Sequence, residues 1–249
     1  MNDSLACFII CIDEPWFKTI LKLPHGIPTD DTFRRVFSVL KPREFEKGFL
    51  SWIRSLYHFF PKEVIALDGK ALRRSYEKKE GIHSTIYMVS AWATQNQLLL
   101  GQEKVADKSN EITAIPELLQ VLELAGAIVT IDAMGCQQEI AKAIIEQGGD
   151  YVLALKGNQG DTLDAITYLF TESKKNAYQD CHDCWQTQTI DHGRIETRVY
   201  RTITDLSVIR EWSDKEWFGI QSLGMVEATR TDKQSGQQVT ERRYYVSSL

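Results

Sequence analysis

Two aspartates, Asp68 and Asp132, each close a short aliphatic run: Val64-Ile65-Ala66-Leu67-Asp68-Gly69-Lys70 and Ile128-Val129-Thr130-Ile131-Asp132-Ala133-Met134-Gly135. Runs of this composition read as short strands buried on both faces. A carboxylate at the end of such a strand is costly unless a metal ion or a base compensates its charge. Neighbouring strands lie about 4.8 Å apart. On neighbouring strands the two carboxylates would converge and could share divalent metal ions, as metal-assisted phosphodiester chemistry requires. Either aspartate alone could instead be a turn former after a strand.

Other residues fit the same chemistry. Lys70-Ala71-Leu72-Arg73-Arg74-Ser75-Tyr76-Glu77-Lys78-Lys79 sets five bases against one acid directly after Asp68. Lys70, Arg73 and Arg74 are candidate phosphate contacts, the alternative being a solvated loop. Lys156-Gly157-Asn158-Gln159-Gly160 lacks the Gly-Lys-Ser/Thr of a Walker loop. Lys156 and Asn158 could hold a DNA backbone at the sheet edge that carries the aspartates, or simply form a tight strand-to-helix turn. Arg194 and Glu196 belong to His192-Gly193-Arg194-Ile195-Glu196-Thr197-Arg198. Glu196 tempts as a third acid, against a hairpin in which Arg and Glu pair across strands. Cys181-His182-Asp183-Cys184 has one zinc-like spacing but too few partners for a closed site.

The bulk numbers narrow the setting. The 249 residues carry 43% hydrophobic and 25% charged side chains, enough for a real core. A net charge of −5 argues against a nonspecific nucleic-acid coat without excluding local patches. Five cysteines, an odd number at no disulfide-scaffold spacing, fit a reducing cytoplasm. The apolar Leu5–Ile12 run is too short to span a bilayer, so a soluble cytoplasmic protein is expected.

These residues need elements to position them. Phe33, Val36, Phe37 and Leu40, then Phe45, Phe49, Trp52, Ile53 and Leu56, recur at helical spacing after the cap material Thr29-Asp30-Asp31-Thr32. Residues 1–61 therefore read as an N-terminal helical arm. From Val64 the order is strand 64–68, a hairpin of 86–94 and 98–105, helix 110–124 capped by Ser109-Asn110, strand 128–132, helix 135–147, strand 151–155 and helix 161–170. This β-β-β-α-β-α-β-α order over 62–174 matches an α/β ribonuclease-H-like mixed sheet with helices on both faces. In that arrangement the first and fourth strands are adjacent. Residues 175–249 form a β-rich insertion with strands near 187–190, 196–203, 218–230 and 238–246.

Several segments together resemble the H-repeat-associated insertion-sequence transposases, a DDE family. They are Gly26-Ile27-Pro28-Thr29-Asp30-Asp31-Thr32-Phe33-Arg34-Arg35-Val36-Phe37-Ser38, Ile65–Lys70, Lys108–Pro116, Asp132–Gln137, Gly149–Gln159, His192-Gly193-Arg194 and Arg243-Tyr244-Tyr245-Val246-Ser247-Ser248. The resemblance runs from about residue 15 onward. It implies a ribonuclease-H-like core, two Mg²⁺ ions, double-stranded DNA of transposon ends and targets as substrate, and strand cleavage and transfer. Asp68 and Asp132 fall on the family's first two acids. The third acid is expected in a His-Trp-x-x-Glu-Asn motif beyond the Tyr-Tyr-x-Ser-Ser strand, and this sequence contains none. Glu196 does not take that role, since the family carries the His-Gly-Arg stretch in addition. The expectation is a truncated, catalytically impaired transposase, able to form a homodimer. The alternative is a non-catalytic DNA-binding remnant that occupies element ends or inhibits a full-length copy.

Overall fold

The computed structural model describes residues 18–19, 22, 24–58, 60–79, 82–105, 111–191, 193–212 and 217–249. The Leu5–Ile12 run, the Ser109-Asn110 cap and His192 lie outside these residues. The chain forms two compact units, one ending at Ser55 and one running from Leu56 to Leu249.

In the first unit, the helical spacing produces α1 (Asp30–Val39) and α2 (Pro42–Leu56). Thr29 occupies the α1 N-cap, where its carbonyl accepts the Phe33 amide, but its side chain makes no cap bond. Phe45, Phe49 and Trp52 form a ring ladder along α2, with centroids 6.5 and 5.9 Å apart.

The second unit is built on a nine-stranded mixed sheet. Its strands are β1 (Val64–Lys79), β2 (Ile82–Ala93), β3 (Leu98–Lys104), β4 (Ile128–Ile131), β5 (Asp150–Leu155), β6 (Asp183–Asp191), β7 (Arg194–Ile203), β8 (Ser222–Asp232) and β9 (Gln238–Ser247). Across the sheet they run β3-β2-β1-β4-β5-β9-β8-β7-β6. β1, β4 and β5 are parallel neighbours, and the remaining pairs are antiparallel. The first and fourth strands are thus adjacent, as the sequence pattern predicts. The strands of 175–249 do not stand apart, because β9 pairs directly with β5. Among the described residues of the unit are four helices: α3 (Glu111–Val121), α4 (Gln138–Glu146), α5 (Gly160–Lys175) and the short α6 (Ser207–Trp212).

Two expectations change. The aliphatic strands are buried on one face, not both: Ile65, Leu67, Val129, Ile131, Leu153 and Val246 are sealed, while Ala66, Thr130, Val152 and Ala154 are only partly covered. The sealed residues share one cluster with Leu118 of α3, Ile144 of α4, Phe170 of α5 and Ile209 of α6. All four helices pack on that face, so the second helical layer is absent among the described residues of this unit. Small aliphatics such as Ala and Val tolerate half-burial, which is why composition alone suggests two covered faces. Second, β1 does not stop at Asp68. It continues to Lys79 through a register shift between Ala71 and Tyr76, because β2 extends alongside it. The basic segment, for which a solvated loop is the alternative to a phosphate-contact patch, is strand.

Candidate active site

Strand register decides where the aspartates go. β1 and β4 pair in parallel from Val64–Ile128 to Leu67–Ile131. Asp68 and Asp132 each follow the last pair by one residue, and side chains alternate along a strand. With Leu67 and Ile131 sealed in the core, the two carboxylates belong to the opposite, open face, side by side at the same sheet edge. Both residues are exposed. Their partners are local: Asp68 lies opposite Ser90 on β2, and Asp132 Oδ1 accepts the Met134 amide at 3.1 Å, capping a 3-10 turn over Ala133–Gly135.

That turn is pinned from below and beside. Gly135 has no room for a side chain, since an added Cβ would meet Ile131 and Ile115. Asn158 Nδ2 donates to the Ala133 carbonyl at 2.8 Å, and Gln159 Nε2 donates to the Cys136 carbonyl at 2.9 Å. The Lys156–Gly160 turn thus reaches the aspartate edge as its strand position predicts, and Asn158 holds the Asp132 turn. An amide carries a second N–H, so a further contact is open to it.

Asp132 and Lys156 line a cavity of about 420 Å³ with a floor of Thr130, Val152 and Ala154. Its far wall is Glu241, Arg243 and Tyr245 of β9. Sequence reasoning passes over these three. Alternation within 238–246 would place them on one face, but nothing local reveals that β9 lies against β5. Arg243 Nε donates to Glu241 Oε1 at 2.9 Å. That hydrogen bond and charge hold the Glu241 carboxyl below the usual range, with Arg230 and Lys156 adding to the pull.

The other candidates fall at different distances. Lys70 shares the open face with Asp68 and is exposed. Arg73 and Arg74 lie where β1 shifts register. Arg194 and Glu196 lie on β7, four strands from β4 and therefore about 19 Å across the sheet. Arg194 is paired in register with Asp232, and Glu196 Oε1 accepts from Arg198 at 3.2 Å and Arg230 at 3.3 Å. The structure does not bring these two to the aspartates. Among the described residues, no group of three or more His, Cys, Asp or Glu side chains could hold a metal ion, the Cys181–Cys184 segment included. Two carboxylates still suit a hard cation: Mg²⁺ is commonly held by one or two of them plus water and substrate phosphate oxygens.

The sequence matches the model of the transposase DDE domain over residues 59–244 and that of its associated N-terminal region over 6–53. A protein encoded in the dhlA 3′ region of Xanthobacter autotrophicus is 40% identical over 94% of this chain and 77% of its own length. "Putative transposase YncI" of Escherichia coli is 41% identical over 94% of this chain and 59% of its own. "H repeat-associated putative transposase YhhI" of the same species is 39% identical over 90% and 59%. The chain therefore spans little more than half the length of these last two relatives. A solved endonuclease V from Bacillus subtilis overlaps 85% of this chain and 78% of its own at 11% identity and a TM-score of 0.27, too slight a likeness to carry argument. No described helix is long and apolar enough to cross a membrane.

Proposed function

The chain belongs to the transposase DDE domain family, and on that premise we propose that Asp68 and Asp132 are two of the metal-holding carboxylates of DNA strand cleavage and transfer. One observation carries the reading: β1 and β4 are parallel neighbours in register, which sets both residues on the same face of one sheet edge. The strand order β3-β2-β1-β4-β5 supports the ribonuclease-H-like core. When bound, Mg²⁺ supplies Lewis-acid stabilisation of the scissile phosphate oxygens. The chain's part is to hold and orient. Asp68 and Asp132 supply hard oxygen ligands, and the Met134 amide and Asn158 keep the Asp132 turn in place. Lys156, Lys70, Arg73, Arg74, the second N–H of Asn158 and, farther off, Arg194 contact the DNA backbone.

With no group of three acids among the described residues that could hold a metal ion, the 249-residue chain alone holds Mg²⁺ weakly and cuts DNA poorly. Titration with Mn²⁺ tests the ligands. Groups that only hydrogen-bond to a metal ligand are worth roughly 10–100-fold in metal affinity, so Asp68→Asn and Asp132→Asn should each lose about tenfold or more. Unchanged Mn²⁺ affinity in both variants would refute the assignment, and robust Mg²⁺-dependent cleavage of duplex DNA would refute the impairment. The same two-acid edge favours a second reading, a non-catalytic DNA-binding protein that occupies element ends or blocks a longer transposase. A salt-dependent DNA shift without nicking is its signature.

A further inference from the structure

We propose that the open face of β7, β8 and β9 carries a second site, a pocket for one phosphate of the DNA backbone built by Arg198, Arg230 and Arg243 with Tyr200 and Tyr245. This rests on the DNA-substrate reading above and gives a role to residues that it leaves without one. The register builds the pocket. Val226 of β8 lies between Tyr200 and Arg243, and Ala228 lies between Arg198 and Glu241. These two short side chains form a floor, and the longer neighbours rise around it to enclose about 210 Å³.

The bland reading is a set of cross-strand ion pairs. The charge count separates the two. Three arginines share two glutamates: Glu196 takes Arg198 and Arg230, and Glu241 takes Arg243 at 2.9 Å and Arg230 at 3.6 Å. A guanidinium has five N–H donors, so two carboxylates cannot engage all of them. The glutamates instead fix the guanidinium groups around the floor and leave a surplus positive charge. On the helix-covered face the neighbouring Arg242 is matched one to one by Glu227 at 2.7 Å. Arg198 and Arg243 remain about half exposed, and the pocket opens on the same face as the aspartates.

Its place relative to those aspartates fits a DNA strand. Arg243 and Tyr245 line both this pocket and the cavity bounded by Asp132 and Lys156. From β4 to β8 is three strand spacings, about 14 Å. One strand of duplex DNA rises about 3.4 Å per nucleotide. A phosphate a few nucleotides from the reacting one would therefore reach the arginines.

The test is a fluorescence titration of the 249-residue chain with a short DNA duplex of arbitrary sequence over a series of salt concentrations. Each phosphate contact contributes about 0.9 to the slope of log affinity against log salt. Arg198→Gln and Arg243→Gln should each lower that slope by about one contact, while Arg242→Gln, one residue away on the opposite face, leaves it unchanged. Arg243→Lys keeps the charge, so it should keep the slope and lose only affinity through the lost fork geometry. Unchanged slopes in Arg198→Gln and Arg243→Gln, or an equal drop in Arg242→Gln, would overturn the pocket alone. Failure of the unmodified chain to bind DNA at all would overturn both readings together. Melting curves of every variant verify that lost contacts are not lost fold.

Discussion

Asp132 has two jobs that a single substitution confounds. Its carboxylate faces the proposed metal, and its Oδ1 also caps the turn that follows. Asn keeps an oxygen at the capping position, whereas Ala keeps none. Asp132→Asn should therefore melt within a degree or so of the parent protein. Asp132→Ala should cost about 1 kcal/mol, the usual worth of such a cap, in urea denaturation. Equal stability of the two variants would show that the cap contributes nothing. The aspartates were legible in the sequence because a carboxylate ending an aliphatic run is a local signal. Glu241 and Arg243 were not, because their meaning depends on β9 lying beside β5, nearly a hundred residues earlier. Glu196 shows the converse: its residue type is right, and the register shows that it serves Arg198 and Arg230, four strands from Asp132.

At the level of elements, the entry to β1 is held by a residue that pattern reading overlooks. Glu63 is fully buried, yet it is the acceptor for the turn between β2 and β3. It takes the Gln95 amide at 3.1 Å, the Asn96 amide at 2.9 Å and Asn96 Nδ2 at 2.7 Å. Burial and the Glu63 carboxylate beside it push the Tyr57 phenol up to about 12. Glu63 thereby ties the start of the strand bearing Asp68 to the hairpin next to it. Glu63→Ala would take the acceptor from three part-buried donors, whose hydrogen bonds to a charged group are worth about 1–3 kcal/mol each, so a net loss of about 2–4 kcal/mol is expected in a urea melt. Glu63→Gln, which keeps one acceptor, should lose less. An effect below about 1 kcal/mol in Glu63→Ala would disprove the clamp. The elements themselves were largely readable. Alternation and turn residues gave the 86–105 hairpin and β4, β5 and β9 to within a few residues. The errors came where a partner strand, and not local propensity, sets the length, as when β2 draws β1 out to Lys79.

For the whole molecule, the titrating groups bracket a pH window in which the second unit should be most stable. On the acid side, three carboxyls lie below their ordinary range. Backbone hydrogen bonds from Ser207 and Ser235 lower Asp205 and Asp232, and Arg243 lowers Glu241. A lowered folded value means the stabilisation is whole above the unfolded value, near 4, and drains away as pH falls through the folded ones. On the alkaline side the sign reverses. Burial raises Tyr57, Tyr151 and Tyr245, so their contribution is whole below about 10 and is lost as pH climbs through their folded values. Tyr151 is the strongest of these: it is sealed beneath the sheet, and its hydroxyl donates to the Phe218 carbonyl at 3.0 Å. Melting temperature should therefore stay flat from about pH 5 to 9 and fall on both sides. Tyr151→Phe should cost roughly 1 kcal/mol at neutral pH through the lost hydrogen bond, and it should also flatten the alkaline shoulder, because the group that resists ionisation is gone. An alkaline shoulder of undiminished depth in that variant would mean that other groups drive unfolding at high pH.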